Sequence, residues 1–157
     1  IGHTIVNPES PFRCGCGNYG CLMAHASGLA LPQVVKQRAR EGAATDLDID
    51  GLTDQEITGE LIKVGFDRGD RLCTAVLTEY GRYLGIGLQN LFQVLNPGVI
   101  VIGGGLTNWG APYLDCVKET FYDLAESMMV ERTDIRLATL EANAAVIGAA
   151  ALVLEPS

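Results

Sequence analysis

Three cysteines, Cys14, Cys16 and Cys21, fall in one short segment that also holds Gly15, Gly17 and Gly20. Such a stretch has no means of forming a regular helix or strand, so something other than its own backbone must fix its shape. His3 stands upstream and completes the pattern H-x10-C-x-C-x4-C. One imidazole and three thiolates are a complete tetrahedral ligand set, and Zn2+ suits that set best. With all four positions filled by protein, no place stays open for water, which reads as a structural rather than a catalytic ion. A site of this kind contributes on the order of 10 kcal/mol, comparable to the whole stability of a small domain. The competing reading, buried thiols beside an unrelated histidine, leaves three sulfurs in a glycine-rich loop with no core to enter. The other two cysteines, Cys73 and Cys116, stand alone in helix-like runs and read as small buried hydrophobes. His25 reads as a satisfied histidine, in the core or on the surface, rather than a ligand.

Downstream of this loop the pattern becomes regular. Short helices are expected over Leu22 to Ser27 and Leu31 to Ala43, punctuated by Gly28, Pro32 and Gly42. Thr53 and Glu56 form a capping box for a helix carrying Ile57, Leu61 and Val64. Asp70 then caps a long helix whose apolar residues keep helical spacing from Leu72 to Leu95, ahead of Asn96-Pro97. Gly81, Gly85 and Gly87 inside it imply a close approach, most simply by another helix. Val99-Ile100-Val101-Ile102 reads as a strand buried on both faces, as in a parallel sheet, running into Gly103-Gly104-Gly105. A helix from Pro112 to about Met128, a strand from Ile135 to Leu140 and an alanine-rich helix from Asn143 to Leu154 complete an α/β order.

With 157 residues and 48% apolar content, the chain suffices for one domain with its own core. Eleven basic against nineteen acidic residues give a formal charge of −8, which repels phosphate backbones and anionic membranes. This chain alone is therefore not expected to bind nucleic acid or membrane. No apolar run approaches the ~18 residues of a membrane span, and the expected location is cytoplasmic.

The motifs Ile1-Gly2-His3, Cys14-Gly-Cys-Gly-Asn-Tyr-Gly-Cys21 and Leu22 to Gly28 resemble the signature of the ROK family (repressors, open reading frames and sugar kinases). The likeness continues in Gly69-Asp70, Tyr83 to Leu91, Asn96-Pro97 with Val99 to Gly105, and Ala144 to Ala150, and so covers nearly the whole chain. It implies an actin- and hexokinase-like fold, with a ribonuclease-H-like sheet and a sugar between two lobes. On that likeness, residues 1–157 form a single carboxyl-terminal lobe: a zinc loop at 3–21, a helical region at 22–96, and strand, glycine turn and helices at 97–157. The resemblance further implies that His3 binds zinc and touches sugar, and that Gly103, Gly104 and Gly105 lie where kinase members bind the adenine nucleotide. ATP is then a possible cofactor of the whole protein, a small sugar its ligand, and a homo-oligomer its expected state.

Two departures qualify that likeness. The amino-terminal lobe, with the family's phosphate loop and catalytic aspartate, is not in this sequence, so no catalytic residue is assigned and the fragment alone is expected to be inactive. The family glutamate that follows Cys-Leu and accepts sugar hydroxyls is replaced by Met23. A thioether is a weak acceptor, and losing a buried acceptor costs about 1 to 3 kcal/mol. Three readings stand: the sugar-sensing and oligomerisation part of a transcriptional regulator, which Met23 favours; the carboxyl part of an ATP-dependent, glucokinase-like sugar kinase; and a degenerate member acting through protein contacts. In this family the last helix packs on the other lobe, so Val146, Ile147, Ala150, Val153 and Leu154 are expected to carry an uncovered apolar patch that promotes self-association.

Overall fold

A computed structural model describes residues 1–125, 133–139 and 144–154. Its centre is a 25-residue helix, and the other elements are placed by what they lay against it. In chain order the helices are α1 (Leu22–Ala26), α2 (Leu31–Arg40), α3 (Gly59–Asp67), α4 (Arg71–Leu95), α5 (Ala111–Ala125) and α6 (Ala144–Leu154), with strands β1 (Val99–Ile102) and β2 (Asp134–Leu137). One-turn 3₁₀ segments at Gly28–Ala30 and Ile49–Gly51 and a longer one at Gly105–Trp109 join them.

The long helix starts where Asp70 stops the chain. Its Oδ1 accepts the Cys73 amide at 2.9 Å, while Oδ2 accepts the Thr45 hydroxyl at 2.7 Å and the Asp46 amide at 3.1 Å. Burial opposes the charge, but these donors outweigh it and hold the Asp70 carboxyl below the usual carboxylate range. Asn96 ends α4 in the left-handed conformation, φ 44°, which asparagine tolerates better than most residues. Leu72, Cys73, Val76, Leu77, Tyr80, Leu88 and Phe92 are buried along one side. On another side α5 lies against Gly81 and Gly85: a Cβ added at Gly85 would sit 2.7 Å from Thr120 Cβ and 2.8 Å from the Val117 carbonyl oxygen. Backbone approach this close needs glycine, so helix packing, not a ligand, accounts for these residues.

Strands β1 and β2 pair in parallel, Val99 opposite Asp134 through Ile102 opposite Leu137. Burial on both faces does not hold. Ile100 and Ile102 are buried, while Val99 and Val101 are exposed, because among the described residues only one face of the pair carries a covering layer. The capping box also differs from expectation. Glu56 does accept the Thr53 amide and hydroxyl, at 2.8 and 2.7 Å, but this closes a turn. Helix α3 begins later, where Thr58 Oγ1 accepts the Leu61 amide at 3.2 Å, and Ile62 and Gly65 rather than Val64 face the core. Helix α2 stops at Arg40, where Arg38 forms a two-pronged bond to Glu79 of α4 (2.6 and 2.7 Å) and also reaches Glu41. The expected ends at Met128, Leu140 and Asn143 lie outside the described residues.

Helix α6 is apolar all round, and its described side chains, Val146 to Val153, are exposed. Val146, Ile147, Ala150 and Val153 of the expected patch are thus uncovered in this chain; the Leu154 side chain lies outside the described set.

Candidate metal centre and adjoining clefts

The loop ahead of α1 is held by a few long-range backbone bonds rather than by a ladder. Leu22 N–H donates to the Thr4 carbonyl at 2.9 Å, Met23 N–H to Gly2 at 2.8 Å and Val6 N–H to Gly20 at 2.8 Å, drawing His3 beside the start of the helix. Arg13 and Tyr19 pair across the cysteine turn, where Cys14 N–H donates to the Asn18 carbonyl at 2.8 Å. Gly20 takes φ 72°, and an added Cβ would fall 1.9 Å from the Asn7 carbonyl oxygen, so any other residue would force the two strands of the loop apart.

These constraints bring together all four residues of the ligand pattern. The donor atoms of His3, Cys14, Cys16 and Cys21 lie within 4.8 Å of one another. Cys14 Sγ is 3.5 Å from His3 Nδ1, and Cys16 Sγ is 3.6 Å from Cys21 Sγ. Zn–S bonds of about 2.3 Å and Zn–N bonds of about 2.0 Å in a tetrahedron require S–S and S–N edges of about 3.8 and 3.5 Å. These two separations match such edges, and the four donors lie close enough together to hold a metal ion.

The thiols are not alike. Burial pushes Cys21 up to about 12, with the neighbouring sulfurs adding to the effect. Cys16 is exposed and lies below the ordinary thiol range, chiefly because its sulfur accepts the backbone N–H of Asn18. Loading an ion therefore means expelling a proton from the buried Cys21, which makes affinity depend on pH.

Beside this cluster opens a cleft of about 270 Å3, lined by His3, Arg13 and Gln33 on the polar side and by Met23, Leu29 and Ala30 on the apolar side. A second cleft, of about 240 Å3, is lined by Gly103, Gly104 and Gly105 together with Gly28 and Thr107. Ser27 lines both, so the two clefts adjoin. Its hydroxyl donates to the Met23 carbonyl at 2.6 Å, and its carbonyl accepts the Tyr80 hydroxyl at 3.2 Å. Unlike Gly85, the glycines of this turn are not packed: a Cβ at Gly104 or Gly105 would meet nothing within 4 Å. Arg13, Ser27 and Gln33 were not legible as lining residues in the sequence, because each reaches its cleft through the fold and none belongs to a spacing pattern.

His25 falls in neither cleft. It is 1% exposed, tilted over the Tyr83 ring at 3.9 Å between centroids and edge-on to Phe12 at 5.4 Å. Among the described residues neither ring nitrogen has a hydrogen-bond partner, so it is a core histidine but not a satisfied one. Cys73 is fully buried, as expected of a small hydrophobe, and burial pushes its thiol up to about 12.

The ROK family model matches residues 1–156. A glucokinase of Halalkalibacterium halodurans is 33% identical over 153 residues, covering 98% of this chain and 46% of that protein. A xylose repressor of Caldicellulosiruptor bescii is 30% identical over 154 residues, covering 98% of this chain and 38% of that protein. Among solved structures, a ROK glucokinase from Streptomyces griseus, in complex with glucose and AMPPNP, is 31% identical with a TM-score of 0.77, over 96% of this chain and 49% of that one. The chain thus spans less than half the length of these relatives.

Proposed function

The chain belongs to the ROK family, and from that membership we propose that it is the zinc-pinned, sugar-sensing part of a transcriptional regulator. The observation that carries this reading is Met23. It lines the cleft beside His3, where the family resemblance calls for a glutamate that accepts sugar hydroxyls. A transferase must hold its hydroxyl acceptor rigidly in line with a phosphoryl donor. A sensor needs only a difference in affinity between two states, about 5- to 150-fold in typical cases, and tolerates a weaker grip. In this reading Zn2+ on His3, Cys14, Cys16 and Cys21 supplies no chemistry. It fixes the loop so that the His3 ring stands at the cleft wall, and the chain works as one carboxyl-terminal lobe whose uncovered α6 face serves assembly, within a homo-oligomer. Its acidic charge suits a lobe that leaves DNA contact to another part of the protein. No described helix is long and apolar enough to cross a membrane.

A second reading, the carboxyl part of an ATP-dependent sugar kinase, is favoured by the glycine turn. Gly104 and Gly105 are unpacked, Gly104 at φ 108°, and their cleft adjoins the first at Ser27, which would set a nucleotide next to a sugar. One experiment separates the two. The full-length protein carrying this sequence is assayed for binding to its own promoter DNA and for ATP-dependent sugar phosphorylation. The expected result is DNA binding weakened or strengthened at least about fivefold by sugar, without turnover. Phosphorylated sugar without DNA binding would overturn the regulator in favour of the kinase.

A further inference from the structure

We propose that Cys16 is an oxidation site: a small hydroperoxide oxidises its sulfur, a Cys16–Cys21 disulfide follows, and the chain gives up its zinc. This rests on the zinc-pinned reading above. Of the five cysteines, Cys16 alone is exposed; Cys14, Cys21 and Cys73 are buried and Cys116 is half-buried. The exposure follows from the turn that carries it. Cys14 N–H donates to the Asn18 carbonyl at 2.8 Å and Gly17 N–H to the Cys14 carbonyl at 2.9 Å, which leaves Cys16 at the tip. Cys16 also lines the cleft of about 270 Å3, so solvent and small solutes reach its sulfur from that side. Oxidation selects thiols by access and thiolate character, and buried structural thiols are inert to it.

An exposed thiol by itself makes no switch; a second sulfur must stand within reach of the first. Cys21 Sγ is 3.6 Å from Cys16 Sγ. It is held there, fully buried, with its sulfur 3.8 Å from the His3 carbonyl oxygen. Cys21 is thus shielded from an oxidant in solvent and in contact with the sulfur that is not. Cys14 is the less suitable partner. Gly15 alone separates it from Cys16, so a bridge between them would have to close inside the turn itself. Cys21 is reached across a longer span in which Gly17 and Gly20 turn at φ 93° and 72° and bring the chain back.

The steps balance with one hydroperoxide. The Cys16 thiolate attacks the terminal peroxide oxygen; an S–O bond forms, the O–O bond breaks, and the alkoxide, or hydroxide from hydrogen peroxide, leaves and takes a proton. Cys16 is oxidised by two electrons to the sulfenic acid, and the peroxide is reduced by the same two. The Cys21 thiolate then attacks the Cys16 sulfur, forms the S–S bond and displaces hydroxide, which takes the second proton and leaves as water. Both protons are those the two thiols shed on ionising. What remains for the ion is His3 and Cys14, half of a tetrahedral set, and a disulfide sulfur is no substitute for a thiolate ligand. With the ion gone, the loop loses the constraint that stands the His3 ring at the cleft wall, so the oxidation is felt in that cleft.

The test treats the full-length protein, purified under reductant and without chelator, with hydrogen peroxide while a colorimetric indicator reads free zinc. Zinc is expected to leave in step with a Cys16–Cys21 cross-link, located by mass spectrometry of unreduced peptides, and dithiothreitol with added Zn2+ should restore the metal content. Cys16→His leaves a set of two histidines and two cysteines, which Zn2+ also accepts, and should keep its metal at a peroxide concentration that empties the native protein. Zinc retained by the native protein under excess peroxide would overturn the proposal while leaving the metal site intact. Zinc release with Cys16 carried on to the sulfinic acid, or with a cross-link that omits Cys16 or Cys21, would overturn it as well. Should Cys16→His take up no zinc, the cross-link map of the native protein decides alone. Reduced native protein that holds no zinc at all would instead strike the zinc-pinned reading, and this proposal with it.

Discussion

The metal loop and the seam between α4 and α5 are both built on glycine, for opposite ends. In the loop, Gly20 lets one strand pass the Asn7 carbonyl and turn at positive φ, and what is gained is room for polar donors to converge. In the seam, Gly81 and Gly85 remove side chains so that a second helix closes against the backbone, and what is gained is dry contact around Tyr113, Val117 and Phe121. On the proposed reading the loop's shape depends on a bound ion, whereas the seam's is a matter of packing. The two should therefore fail independently.

Metal removal is the largest test of that contrast. If the proposed zinc is bound, chelation should abolish amide protection across residues 4–21, because a site worth on the order of 10 kcal/mol would be the loop's main constraint, while α4 and α5 keep theirs. Hydrogen exchange followed peptide by peptide reads both regions at once. Equal loss of protection in loop and seam would show that the two are one cooperative unit and end the comparison.

The reciprocal test is Gly85→Val. The added atoms would sit on Thr120 and the Val117 carbonyl. Overpacking of this kind costs about 2 to 3 kcal/mol, or about 5 to 10 °C in melting temperature for a chain of this size. Zinc bound per chain, measured by elemental analysis on the folded variant, should stay at the native ratio. Loss of metal along with stability would mean that the seam also shapes the loop.

What the sequence disclosed follows the same division. The clustering of His3, Cys14, Cys16 and Cys21 was legible because they sit in one segment, where spacing alone limits geometry. Helix α4 was legible from Asp70 to Asn96 because a cap, a sustained helical period and the Asn96-Pro97 stop agree. Side chains that reach a site through tertiary folding were not legible: Arg13 and Gln33 carry no local signature, and Ser27 looks like any residue ending a short helix. Propensity also misled where tertiary context decides. Four β-branched residues at Val99 to Ile102 suggested two covered faces, yet only Ile100 and Ile102 are covered within the described chain. The Thr53–Glu56 box formed its hydrogen bonds and still did not start a helix, because Thr58 offered a second cap just before the buried Ile62.

His25 joins the two regions and gives the smallest and sharpest test. It lies between Phe12 of the loop and Tyr83 of α4, with no partner for either nitrogen among the described residues. Burial holds its pKa below the ordinary 6.5; the Glu79 carboxylate pulls it up and the Arg38 guanidinium pushes it down, and burial prevails. Between 6.5 and that lowered value the unfolded chain binds more protons than the folded one, so stability is level above about pH 6.5 and falls as pH drops through that window. His25→Phe keeps an aromatic ring against Tyr83 and removes the titration. Urea midpoints measured from about pH 7.5 to pH 5 should fall less steeply for the variant than for the native protein. Acid also protonates the cysteine ligands, but equally in both proteins, so the difference between the two curves isolates His25. Parallel curves would mean that water reaches the ring, and that the junction between loop and helix is looser than its packing shows.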